Sequence, residues 1–163
     1  MGYTHFFQQQ REITDKEWEG IMADASCILQ ATINSGIPLA CSYEEQEDPP
    51  VVSAAGIYFN GVGEGRHEDF YLPRKMDPPH GYTRDTQASR YRFNFCKTAR
   101  KPYDVAVGAI MLSMHHHAPG AWALGSDGDS EEKEWVEATF MYFNATGQER
   151  TLINTSFLNR EKG

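Results

Sequence analysis

Cysteine, positive charge and long hydrophobic runs are all scarce in this sequence, and each scarcity excludes something. The three cysteines, Cys27, Cys41 and Cys96, are odd in number and show no zinc-ligand spacing, so neither a disulfide framework nor a zinc module is expected. Each sits in or beside an apolar segment and reads as a reduced core residue of an intracellular protein. Lys and Arg total 15 against 23 Asp and Glu, a net charge of −8. The broad basic face needed to hold duplex DNA or an anionic membrane surface is therefore not expected. The apolar run 105–114 is too short and too interrupted to span a bilayer, and the N-terminus has no basic-then-apolar signal region, so a cytoplasm is the expected location. Also missing are a Gly-x-Ser-x-Gly elbow, a phosphate-loop signature, a His-Glu-x-x-His motif, internal repeats and low-complexity blocks.

What is present is enough for one core: 163 residues, 40% hydrophobic and 12% aromatic, are cramped as two domains but ample for one. One domain is expected over residues 1–147, with 148–163 a tail or edge strand. Residues 3–13, aromatic in front and polar behind, read as a first strand. Thr14-Asp15-Lys16-Glu17 is a capping box, and Trp18, Ile21, Met22, Ala25, Leu29 and Ile33 recur at helical spacing until Gly36 and Pro38 stop them. A short strand at 37–42 precedes an acidic loop, 43–50, across which the flanking strands are expected to pair. Residues 56–61 and 68–73 predict an antiparallel hairpin around the glycine-bearing loop 62–67. Residues 73–90 have no hydrophobic period and read as a long loop, either flexible or a lid carrying Arg74, Lys75, Tyr82, Arg84 and Arg90. Residues 91–96 alternate as a half-buried strand with Tyr91, Phe93 and Phe95 on one face.

A helix is predicted from Pro102 to about His117, apolar on more than one side and so expected to be covered by the sheet and by a second subunit. A strand at 121–124, a turn at 125–130 and a last helix with Trp135, Val136, Thr139, Phe140 and Phe143 as its apolar stripe complete the chain. The expected order is β-α-β-β-β-β-α-β-α, a single α+β domain with a mostly antiparallel sheet and helices packed largely on one face.

Chemistry-bearing residues gather in three places. Lys97, Thr98, Arg100 and Lys101 form a basic turn before Pro102 and Tyr103, with Pro102 suited to the first helical position. Unpaired N–H groups and the positive end of the helix dipole make such a start a seat for an anion, although a solvated basic turn in an acidic protein has the same residue types. The hairpin carries Phe59, Asn60, His67, Glu68 and Phe70, an aromatic face and an amide of the kind that reads a base, although the aromatics equally suit a core. Ser126-Asp127-Gly128 is either an Asx turn and helix cap or a polar ligand-contacting edge. His67 with Glu68 fits general acid–base chemistry and Cys96 beside Lys97 a nucleophile, but neither pattern is specific, and neighbours on a strand face opposite sides. No metal is expected at His115, His116 and His117, because adjacent helical residues diverge and shared coordination needs i, i+4 spacing. No other cofactor is expected.

The stretch Phe95-Cys96-Lys97-Thr98-Ala99-Arg100-Lys101-Pro102-Tyr103-Asp104 resembles the signature of small phage- and prophage-encoded proteins of unassigned function. The resemblance extends to Phe59-Asn60-Gly61, to His67-Glu68-x-Phe70, to histidine near the end of the following helix and to Ser126-Asp127-Gly128 before a final Trp-bearing helix, covering roughly residues 12–140. It implies a counter-defence protein in a host bacterial cytoplasm, of the kind that sequesters cyclic-nucleotide or ADP-ribose signals. The expected ligand-binding residues are Lys97, Thr98, Arg100, Lys101, Tyr103, Phe59, Asn60, His67, Ser126 and Asp127. The expected partner is a nucleotide-like small molecule, with neither duplex nucleic acid nor membrane. A homo-oligomer is expected too, since one small domain rarely encloses a dinucleotide, with helix 102–117 as its interface. Two rival classes are an enzyme that cleaves such a nucleotide and a protein that blocks a host defence factor through its acidic surface.

Overall fold

In the computed structural model, residues 2–75, 93–149 and 153–158 are described. The chain begins with β1 (Thr4–Gln9) and α1 (Asp15–Asn34), then β2 (Leu39–Ala40), β3 (Val51–Val52), β4 (Gly56–Gly61) and β5 (Phe70–Pro73). It continues through β6 (Phe93–Lys97), α2 (Asp104–His117), β7 (Trp122–Ser126) and α3 (Lys133–Thr146). This is a mixed α+β single domain with antiparallel sheets, in which helical residues outnumber strand residues. The strand β3, two residues long, is absent from the sequence-based order because so short a pairing leaves no periodicity to read.

The expected single sheet is two. In the first, β1 lies between β6 and β7, with Phe6 opposite Phe95 on one side and opposite Gly125 on the other. In the second, β4 pairs with β2, β3 and β5, and the predicted hairpin is present with Phe59 opposite Phe70. The two sheets meet where Glu68 N–H donates to the Lys97 carbonyl (3.3 Å) and the Asn94 amide donates to the Tyr71 carbonyl (2.9 Å).

The capping box of α1 is present, Thr14 accepting from Glu17 N–H (3.1 Å) and Glu17 accepting from Thr14 N–H (2.9 Å). Trp18, Ile21, Ala25 and Leu29 are buried as their spacing predicts, while Ile33 near the helix end is 40% exposed. The three helices pack on one another with α2 against both others. All of 106–114 is buried within the one chain, so the expected use of α2 as a subunit interface is corrected: its apolar circumference is covered from inside.

Helix α3 is turned relative to expectation. Trp135, Ala138 and Tyr142 face inward, and Val136, Phe140 and Phe143 are exposed. The inward choice follows from α2, where Gly108 admits Ala138 so closely that a Cβ at 108 would stand 2.7 Å from the Ala138 Cβ. On β6 the inward residue is Cys96, and Phe95 is 53% exposed, not part of a buried aromatic face. Residues 153–158 carry a 3-10 turn, Ser156–Leu158, that packs beside β7 where an edge strand was the alternative. Tyr82, Arg84, Arg90 and Tyr91 lie outside the described residues.

Candidate functional site

The basic turn closes β6 onto α2 in an unusual backbone conformation. Ala99 and Arg100 have φ of 51° and 58°, and Lys101 N–H donates back to the Thr98 carbonyl (3.0 Å), as in a type I′ turn. Left-handed backbone at a residue with a Cβ costs about 1–2 kcal/mol, and two in succession need compensation. Thr98 N–H and Ala99 N–H both donate to the Tyr3 carbonyl (2.9 and 3.2 Å), and the buried Thr98 hydroxyl donates to Asp104 Oδ1 (2.5 Å). The same carboxylate oxygen accepts from Nε2 of the buried His5 (2.6 Å). His5 stands edge-on to Tyr3 and Trp135, at ring separations of 5.2 and 5.4 Å, and its Nδ1 has no hydrogen-bond partner among the described residues.

Helix α2 therefore begins at Asp104, two residues later than expected, with Pro102 and Tyr103 in the turn before it and Asp104 N–H bonded to the Lys101 carbonyl (2.9 Å). The anion at the head of α2 is the chain's own Asp104, held in the interior by Thr98 and His5. What remains for a ligand is what the turn presents outward.

Its cations are divided. Arg100 is occupied, its Nε bonded to Glu134 (2.9 Å) and its guanidinium 4.4 Å from the centre of the Tyr3 ring. The exposed Lys97 runs across Gly2. Lys101 lines a groove of about 620 Å³ together with Tyr43, Arg66, His67, Glu68 and Asp69.

That groove is built by a tightly folded loop. A Cβ at Gly61 would stand 2.1 Å from the Gly65 carbonyl, so only glycine permits the closure. The buried Asn60 is the loop's brace: its oxygen accepts from Gly61 N–H (2.7 Å) and His67 N–H (3.1 Å), and its amide donates to the His67 carbonyl (2.9 Å) and Asp69 Oδ1 (2.7 Å). Asp69 Oδ1 also accepts from Tyr43 N–H (2.7 Å), which brings the acidic loop to the groove, where the Arg66 guanidinium lies 4.2 Å from the centre of the Tyr43 ring.

Two groove residues are fixed with particular care. His67 Nδ1–H donates to the Lys97 carbonyl (2.6 Å), which leaves Nε2 as the acceptor of the neutral ring. The Glu68 carbonyl accepts from the Tyr103 hydroxyl (2.6 Å) and the Cys96 thiol (3.5 Å), and its Oε2 from Lys97 N–H (2.8 Å).

The ten residues expected to bind a ligand thus separate. Lys101 and His67 line the groove. Asn60, Thr98 and the buried Tyr103 support it from within, and Phe59 is wholly buried against Phe70 and Tyr103, so it has no face to offer a base. The exposed Lys97 runs across Gly2 and is not among the residues lining the groove, and Ser126 and Asp127 belong with Arg100 on the β1–β7 side of the turn. Ser126 accepts from Trp135 Nε1 (3.1 Å), and Asp127 accepts from Thr4 N–H (3.0 Å) while its own N–H donates to the Thr4 carbonyl (3.0 Å). Sequence reasoning missed Tyr43, Arg66 and Asp69, and passed over Asp104 although it quoted it. Asp104 was the recoverable one, an acidic residue directly behind three cations.

The remaining titratable groups do other work. Burial pushes the Cys96 thiol above the ordinary range, and the side chain is wholly enclosed. Asp24 Oδ2 accepts from Ser113 (2.8 Å), His117 (2.7 Å) and Tyr142 (2.9 Å), joining the three helices. Burial alone would raise that carboxyl, but these hydrogen bonds outweigh it and hold its pKa below the usual value. His115 instead meets Phe157 edge-on, while the His116 and His117 rings stand edge-on to each other at 4.9 Å. Compared with models of protein families, with curated proteins and with solved structures, the chain has no match.

Proposed function

We propose that this protein is a phage-encoded binder that sequesters a phosphorylated small molecule, a nucleotide immune signal of the cyclic-nucleotide or ADP-ribose kind, without turning it over. The observation that carries the reading is the groove in which Arg66 and Lys101 stand beside the planar Tyr43. Phosphate is recognised by such cations and a base by such a ring. The resemblance of residues 95–104 to small phage proteins supplies the biological setting.

Magnitudes bear on the assembly. A nanomolar complex requires about 12 kcal/mol. Two charge-assisted hydrogen bonds at about 1.5–3 kcal/mol each and one stacked base at about 1–3 kcal/mol fall short of that. Closure by a second copy supplies the remainder, and the proposed homo-oligomer uses a surface other than α2. The direct test is purification from bacteria carrying an active nucleotide-signalling defence, heat denaturation, and mass spectrometry of what is released. An intact nucleotide near one per site supports sequestration. Nothing released, with the protein folded and the signal present in the cells, overturns it.

A second reading is an enzyme that cleaves the same ligand. It is favoured by His67, a groove-lining residue whose Nδ1–H is held by the Lys97 carbonyl, which leaves Nε2 of the neutral ring as the acceptor a general base needs. A cleaved nucleotide accumulating on incubation would select this reading over storage.

A further inference from the structure

The groove contains two carboxylates that oppose a phosphate: Asp69, whose Oδ1 is taken by Tyr43 N–H and the Asn60 amide, and Glu68, whose place phosphate binding does not explain. Glu68 is held by four hydrogen bonds, two into its carbonyl, one from its N–H to the Lys97 carbonyl and one from Lys97 N–H into Oε2. Three of these hold its backbone, and the fourth, from Lys97 N–H to Oε2, sets the carboxylate in place. Glu68 is one of the groove's lining residues, and its Oε1 takes no hydrogen bond among the described residues. A carboxylate opposes a phosphate, so in a phosphate-binding groove its task must lie elsewhere on the ligand. Carboxylates accept only, so the ligand must bring donors.

We infer that Glu68 reads the edge of a guanine, accepting its N1–H and 2-amino N–H side by side, while Lys101 and Arg66 take the phosphate and the Arg66–Tyr43 stack meets the base plane. The inference rests on the nucleotide-binding reading above and names its ligand class. Among the common bases only guanine presents two adjacent donors that match the two oxygens of one carboxylate. Adenine offers one amino hydrogen beside the N1 lone pair, which repels the carboxylate, and uracil and cytosine likewise pair a single donor with acceptors on that edge. A guanidinium-bearing ligand has the same two donors, and with Glu68 and Asp69 balancing Arg66 and Lys101 the groove's charge does not exclude it, but such a ligand brings no anion for the two cations.

The test is calorimetric titration of the full chain with 5′-GMP, 5′-IMP, 5′-AMP and ribose 5-phosphate. GMP should bind about tenfold or more tighter than AMP, as expected for a bidentate edge contact. IMP, which keeps N1–H and lacks the 2-amine, should fall between them. Glu68→Gln, whose amide oxygen still accepts from Lys97 N–H, should bring GMP down to the AMP level with an unchanged melting temperature. If that variant does not fold, the order of the three nucleotides on the native protein decides alone. AMP as tight as GMP, both tighter than ribose 5-phosphate, overturns the guanine assignment and leaves nucleotide binding standing. No preference for any nucleotide over ribose 5-phosphate overturns both.

Discussion

Thr98 and Asp104 are joined by a 2.5 Å hydrogen bond that spans the turn carrying Ala99 and Arg100. Six residues apart and both buried, they fix the two ends of the one segment among the described residues that has left-handed backbone outside glycine. The strain and its clamp are therefore parts of a single local design.

Removing the clamp should be costly. Asp104→Ala leaves the Thr98 hydroxyl and His5 Nε2 buried without their acceptor, and a loss of about 3–5 kcal/mol is expected by analogy with broken buried ionic pairs. Thr98→Val removes one hydrogen bond and should lose about 1–2 kcal/mol. Urea denaturation checks both; equal and small losses would mean that Asp104 is not the turn's anchor.

Relieving the strain should stabilise. Ala99→Gly removes the left-handed penalty of about 1–2 kcal/mol and adds about 0.5–1 kcal/mol of chain entropy to be lost on folding, for a net gain of up to about 1.5 kcal/mol. A lower denaturation midpoint for Ala99→Gly would show that the positive φ is not strained in its surroundings.

The crossing of α2 and α3 is set by Gly108 against Ala138. Gly108→Ala should destabilise by about 1–3 kcal/mol from overpacking, despite alanine's helix propensity, which by itself favours the variant by about 1 kcal/mol. Adding Ala138→Gly should restore part of the loss, a coupling that a double-mutant cycle in thermal denaturation measures directly. Independent, additive effects would place the two helices further apart.

What was legible in the sequence was what is decided locally. Thr14 and Glu17 cap α1 three residues apart, and the hairpin of β4 and β5 follows from two strand-like runs and the glycines between them. The position of the groove was partly legible, because Lys101 and His67 belong to a turn and a loop with distinctive residues. The partners of Arg100 were not: Tyr3 and Glu134 reach it through strand order β6-β1-β7 and helix packing, which no local pattern records. Helix α3 has apolar residues on two sides, and periodicity cannot choose between Phe140 and Tyr142. The notch at Gly108 and the hydrogen bond from Tyr142 to Asp24 choose.

Acid should unfold the protein through identifiable carboxylates. The Arg11 guanidinium, bonded to both Glu17 oxygens, holds that carboxyl down to about 2, and Thr14 N–H acts in the same direction. A carboxyl depressed in the folded state contributes fully above its unfolded value, about 4.3 for Glu, and loses that contribution as pH falls toward about 2. Asp24 acts with the same sign. Glu17→Gln keeps an acceptor for the cap but no charge, so the stability gap between it and the native chain should be constant above about pH 5 and close as pH falls through the unfolded value. Urea titrations at pH 6, 4 and 2.5 check this, and a gap of constant size across that range would remove Glu17 from the acid response.

Lys101 and Arg100 are adjacent in sequence, yet their replacements should separate binding from folding. Lys101 lines the groove and is only half-buried, so Lys101→Ala should leave the melting temperature within a degree or two of native. Its loss of a charge-assisted contact should weaken ligand binding by about tenfold or more. Arg100 sits between Glu134 and the Tyr3 ring. Arg100→Ala should lower stability by about 1 kcal/mol from a partly exposed ion pair and a cation–π contact, with ligand affinity little changed. Nucleotide titration and thermal denaturation of the two variants in parallel give the comparison. If Arg100→Ala abolishes binding while Lys101→Ala does not, the ligand lies on the β1–β7 side of the turn, beside Ser126 and Asp127, and the groove at Tyr43 has some other use.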